Sequence, residues 1–120
     1  MKAELRKLHS LEIEEELIHY KPAMPENFGT WIRFSVGPSG ELGTDNFDLF
    51  VCTPLWLSES LETEPGARWG RHLLIVKEFN VAAITNEIER LVQRCSSVDW
   101  QSTALKIGRF AAWEFEDYTM

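Results

Sequence analysis

The stretch TWIRFSVGPSGELGTDNFDLFVCTPLWL, residues 30–57, decides the fold class. Its first seven residues alternate, with Ile32, Phe34 and Val36 on one side and Trp31, Arg33 and Ser35 on the other, the period of a strand with one face buried. Gly37-Pro38-Ser39-Gly40 supplies turn chemistry. Asn46 to Cys52 then alternates again, Phe47, Leu49 and Val51 against Asp48, Phe50 and Cys52. Two such runs joined by a loop of about eight residues predict an antiparallel hairpin. Thr53-Pro54 follows at once, and threonine as cap with proline at the first helical position predicts a short helix from Leu55 to about Leu61.

Upstream, Met1 to about His9 reads as a half-exposed strand, and Leu11 to Ile18 as a surface excursion in which Glu12, Glu14, Glu15 and Glu16 surround Leu11, Ile13 and Leu17. Pro22 and Pro25 keep that excursion extended or turning. Downstream, Glu62 to Gly70 is a loop. Leu73-Leu74-Ile75-Val76 has no polar face and predicts a strand covered on both sides, central in the sheet. Asn80 can cap a helix whose apolar residues Val81, Ile84, Ile88, Leu91, Val92 and Cys95 form one stripe, with Glu87 and Glu89 placed to pair locally with Arg90 and Arg94. Asp99 can cap a third, with Trp100, Ala104, Ile107, Gly108 and Ala111 on one side. Trp113 to Tyr118 is a short final strand or a packed tail. The order β-β-β-α-β-α-α-(β) predicts an α+β fold, a mostly antiparallel sheet with helices packed on one face, in a single domain over residues 1–120.

The 120 residues carry 19 Asp+Glu against 12 Lys+Arg, a formal net charge of −7. That balance argues against a nucleic-acid binder, whose affinity comes largely from cations neutralising phosphates, and suits a basic protein partner. Met1 to Ser10 lacks the apolar centre of a secretory signal, and no stretch nears the ~20 apolar residues of a membrane span. A cytoplasmic protein is expected, with Cys52 and Cys95 free.

Few residues group into chemistry. Cys52 and His72, at the ends of strands, could converge with Glu78 or Asp48 into a nucleophilic site, which makes a small enzyme or ligand-binding domain the alternative class. His9, His19 and His72 match no zinc spacing, Glu114, Glu116 and Asp117 lack the ordered spacing of a calcium loop, and Gly66 to Arg71 lacks a phosphate-binding signature; no metal or cofactor is implied. Trp31, on the polar side of its strand, and Trp69, in a loop, are candidates for a protein interface. Trp56, Trp100 and Trp113 are assigned to core packing. The same exposed tryptophans leave open a homo-oligomeric domain in which Trp31 and Trp69 meet across a symmetry axis.

Phe50 to Leu57, Gly70 to Val76 and Trp113 to Tyr118, in this order, resemble the immunity protein 8 family of bacterial polymorphic toxin systems, and Asn27-Phe28-Gly29, Gly37-Pro38 and Gly40-Glu41 fit it too. The resemblance runs from Met1 to Tyr118. It implies an α+β fold and a cytoplasmic antidote that binds a cognate toxin domain, with no enzymatic activity and no catalytic residues. If that toxin is a nuclease, its phosphate-holding surface is basic, and the acids Glu12, Glu14, Glu15, Glu16, Glu114, Glu116 and Asp117 are the candidate contacts beside Trp31 and Trp69.

Overall fold

A computed structural model describes residues 1–116. Its elements run β1 (Ala3–Ser10), β2 (Gly29–Pro38), β3 (Asp45–Cys52), α1 (Pro54–Ser60), β4 (Leu73–Ile75), α2 (Val81–Cys95), α3 (Trp100–Ile107) and β5 (Ala112–Trp113). The sheet order is β1-β2-β3-β4, with β5 also pairing β3. The β1–β2, β2–β3 and β3–β5 pairs are antiparallel and β3–β4 is parallel.

The alternation of the deciding stretch is what builds the core. Ile32, Phe34 and Val36 of β2 and Phe47, Leu49 and Val51 of β3 are buried together with Ile84, Ile88, Leu91, Val92 and Cys95 of α2 and Ala104 and Ile107 of α3. Their enclosure is the main source of stability, at roughly 1.5–3 kcal/mol for each large apolar side chain. Each helix starts where a capping side chain was expected: Thr53 accepts from the Trp56 N–H, Asn80 from that of Ala83 and Asp99 from that of Ser102. The Ser102 bonds also hold the Asp99 carboxyl below its ordinary pKa, because they favour its charged form. Glu87 pairs with Arg90 one turn on.

Three expectations change. Leu73 to Val76 is not a central strand: β4 has three residues at the sheet edge, Leu73 and Leu74 are half-buried and Ile75 is exposed. The physical reason is that β3 offers only one free edge beyond β2, and β4 and β5 divide it, at residues 50–52 and 47–48. Secondly, β2 runs through Gly37 to Pro38 before turning. A Cβ on Gly37 would lie 2.3 Å from the Gly43 carbonyl oxygen, so only glycine lets the loop fold back there. Arg6, the extra residue at an irregularity in β1, ties that loop down by donating to the carbonyls of Pro38, Glu41 and Gly43. Thirdly, Trp56 is not in the core. It leaves α1 towards the face of the sheet opposite α2, where a Cβ on Gly29 would come within 2.6 Å of its ring.

That approach gives a prediction. Gly29→Ala should destabilise the protein by about 1–3 kcal/mol, the range for overpacking a close contact, and should shift tryptophan fluorescence as Trp56 is displaced. Urea unfolding followed by both fluorescence and circular dichroism measures it. A change under 0.5 kcal/mol, on the order of a neutral surface substitution, would mean that Trp56 does not seat on β2.

Trp100 and Trp113 do pack against the core, half-buried, and both indole N–H groups donate to Oδ2 of Asp45, at 2.9 and 3.0 Å. One carboxylate at the start of β3 thereby fixes α3 and β5. Among the described residues the closing segment is a strand at Ala112–Trp113, and Asp117 and Tyr118 lie outside those residues.

Candidate functional site

On the face turned away from α2, β2 and β3 carry an aromatic cluster. Trp31 and Phe50 stand opposite each other in the ladder, with ring centroids 5.3 Å apart at 73°. The ring centroid of Trp56, on α1, lies 4.8 Å from that of Phe50. Arg68, from the loop between α1 and β4, places its guanidinium carbon 5.0 Å from the Phe50 centroid and 5.3 Å from that of Trp56. Each such cation–π contact is worth about 0.5–1 kcal/mol at an exposed site and more once desolvated. Trp31 remains 37% exposed, and the next residue after Arg68, Trp69, is 93% exposed. Along the same face Arg33 holds Asp48 through two bonds of 2.8 and 3.0 Å.

The acidic candidates divide into bound and free. Glu12 accepts from the Trp31 N–H at 2.7 Å and from the Thr30 hydroxyl at 3.1 Å, so it fixes the backbone at Trp31. Glu114 accepts from the backbone and side-chain amides of Asn46, and its charge adds to that of Asp48 in favouring the Arg33 cation. Glu116 is paired with Arg71. Glu14, Glu15 and Glu16 are exposed on the β1–β2 loop and form no ion pair among the described residues. The expected cluster at residues 114–117 therefore holds sheet and loop in place at its described positions, and Asp117 lies outside them.

Trp31 is joined to residues that sequence reasoning missed, Phe50, Trp56 and Arg68, while Trp69, which follows Arg68 in the chain, is an exposed indole. A signal was there. From Leu49 to Cys52 β3 is apolar on both faces, which calls for cover on the outer face at that end, and α1 with its loop, the segment that follows directly, supplies it through Trp56 and Arg68.

The alternative reading through Cys52 and His72 loses its support. Cys52 is fully buried, and that burial pushes its thiol pKa up, against a smaller opposing effect of Arg68, so it is disfavoured as a thiolate nucleophile. Cys52 and His72 share no hydrogen bond among the described residues, and Nε2 of His72 is enclosed without a partner. Asp48 is committed to Arg33. Among the described residues no group of three or more His, Cys, Asp or Glu side chains is placed to hold a metal ion, and no helix is long and apolar enough to cross a membrane.

Exposed tryptophan backed by packed aromatics and arginine is the composition of a protein-recognition surface. The family model described as Immunity protein 8 matches residues 3–118, and the chain belongs to that family. It is thus an immunity protein of the kind directed against polymorphic toxins, a group that is generally non-enzymatic and acts by binding a cognate toxin. No curated protein and no solved structure matches it.

Proposed function

We propose that the chain, as a single cytoplasmic domain, binds the toxin domain encoded beside it and occludes that toxin's active or substrate-binding surface. Family membership over residues 3–118 is the observation that carries this reading. The outer sheet face supports its location: Trp31 and Arg68 are of the residue types that dominate binding energy and pack on Phe50, Arg68 also on Trp56, and the neighbouring Trp69 adds an exposed indole. A nuclease is the toxin class favoured by charge, since a catalyst that holds phosphate is basic where this chain carries −7.

Co-expression tests the function. The toxin domain of the adjoining gene should arrest growth alone and not with this chain, and the two should co-purify; arrest in both cases would sink the reading. The charge component has its own test. Changing Glu14, Glu15 and Glu16 together to Gln leaves the hydrogen bonds of Glu12, Glu114 and Glu116 in place. The variant should associate with the toxin domain about tenfold more slowly at low salt, with a shallower salt dependence. Unchanged rates at every ionic strength would remove these three acids from the encounter.

A further inference from the structure

We propose that a basic patch at the C-terminal ends of α2 and α3 docks the acidic β1–β2 loop of a second copy of this chain. Charge is unevenly spread along the sequence: residues 90–113 hold Arg90, Arg94, Lys106 and Arg109 against Asp99 alone, in a chain whose net charge is −7. Arg90 is paired with Glu87, and the Asp99 carboxylate is taken by the Ser102 N–H at the start of α3. The other three cations form no ion pair among the described residues. The fold gathers them. Arg94 of α2 places its guanidinium carbon 5.2 Å from the ring centroid of Phe110, the residue after Arg109, and Lys106 Nζ donates to Ser97 Oγ at 3.3 Å. Burial pushes the Cys95 thiol pKa up, and the fields of Arg94, Lys106 and Arg109 all act against that shift, so the three charges converge on the last turn of α2. Leu105 and Phe110 lie among these cations in the chain and are 54% and 45% exposed, which makes the patch both basic and apolar.

The occupant follows from charge and composition. Three cations mixed with exposed apolar side chains suit an acidic protein surface, whereas a nucleic acid meets a chain that is otherwise strongly negative. The toxin class favoured above is basic where it holds phosphate, so that surface is not what these cations meet; to this extent the argument rests on the charge reading of the toxin. The chain itself is acidic and carries a counterpart. Glu14 and Glu15 are exposed on the β1–β2 loop with no ion pair among the described residues, and Leu11 and Ile18 on either side of them are 43% and 70% exposed. Glu16 is left out of the contact, because it lines a groove together with Lys7 and His9. No ion pair joins loop to patch within one copy among the described residues. A two-fold pair makes the contact twice, each loop on the other copy's patch. The net charges of two copies repel, but at about 0.1 M salt the Debye length is about 10 Å, so charges in contact attract while the remainder are largely screened. Exposed ion pairs are individually weak, which sets the expected dissociation constant on the order of 100 µM.

The test uses the full chain alone, so toxin binding does not enter it. In sedimentation equilibrium at about 0.1 M salt, the mean mass of the unaltered chain should rise from 13.9 kDa towards that of a dimer between about 10 µM and about 1 mM protein. Arg94→Glu with Arg109→Glu, and separately Glu14→Lys with Glu15→Lys, should each weaken association by about tenfold or more. All four side chains are exposed, and circular dichroism checks that both variants are folded. Should loss of Arg94 from Phe110 unfold the first, Lys106→Glu with Arg109→Glu takes its place. Mixed in equal amounts, the two variants should associate as the unaltered chain does, because acidic loop then meets basic patch and basic loop meets acidic patch. A mass of 13.9 kDa at every concentration overturns the proposal. So does association that either pair of reversals leaves unchanged, or that mixing fails to restore. Monomeric protein whose patch instead holds a short single-stranded RNA assigns the cations to phosphates and overturns it too. None of these failures touches the immunity reading, whose test is co-expression with the toxin domain.

Discussion

Replacing Phe47 by alanine is expected to remove about 3–5 kcal/mol of stability, the range for truncating a fully buried aromatic ring. Phe47 is entirely enclosed, stands opposite Phe34 in the β2–β3 ladder and stacks on it at 5.5 Å and 17°. It also pairs with Trp113 of β5 on its other side. Phe47 therefore joins the two neighbours of β3 within the core layer. A domain of this size is stable by roughly 5–15 kcal/mol, so the variant should stay folded at low temperature with its urea midpoint lowered by about 1.5–3 M. Phe47→Leu, which keeps most of the volume, should lose only about 1 kcal/mol. A loss below 1 kcal/mol for the alanine variant, on the order of a surface change, would mean that the core does not close around β3.

The reason such a residue could be chosen from sequence is that period-two burial is a local property. Phe47, Leu49 and Val51 announce their face by alternating with Asp48, and the stripe of α2 announces its own by spacing; both are buried as read, with Val81 half-buried at the helix start. What stayed hidden was relational. Leu73 to Val76 is as apolar as a central strand, yet strand order depends on which edges remain free, and that is decided by β3 receiving both β4 and β5. Trp56 carries no local mark of its side of the sheet; Gly29, 27 residues earlier in the chain, makes room for it. Arg68 sits in a loop without periodicity, and only the fold brings it over Phe50.

The candidate site was legible to the same limited degree. Exposure of Trp31 and Trp69 followed from strand parity and loop placement. The packing of Trp31 on Phe50, and of Phe50 on Trp56 and Arg68, is tertiary. The acids show the opposite limit. Charge is visible in sequence, but whether a carboxylate is free is not: Glu12 and Glu114 are occupied by backbone N–H groups of Trp31 and Asn46, whereas Glu14, Glu15 and Glu16 face solvent. Net charge alone would have weighted them equally. Within the β1–β2 loop itself, Glu12 holds the backbone at Trp31.

Trp69→Ala should weaken toxin binding by about 30-fold, close to 2 kcal/mol, while leaving the stability of the free protein unchanged within about 0.5 kcal/mol. The two halves of that expectation come from one fact: at 93% exposure the Trp69 ring has almost no contacts to lose on folding and almost its whole surface to bury on binding. Full burial of an indole removes on the order of 200 Å² from water, enough for an effect of this size even after the ring's loss of freedom is deducted. Trp31→Ala gives the contrast. Its ring is already edge-on to Phe50 and only 37% exposed, so it should lose both stability, by about 1 kcal/mol, and affinity, by about tenfold. Arg68→Ala should fall between them, because its guanidinium lies over Phe50 and Trp56 but comes from an exposed loop. Calorimetric titration of the three variants against the toxin domain, with thermal melts of each variant alone, separates the contributions. If Trp69→Ala binds as tightly as the unaltered chain and Trp31→Ala loses affinity only in proportion to its folded fraction, the outer face is structural and the toxin is held elsewhere on the molecule.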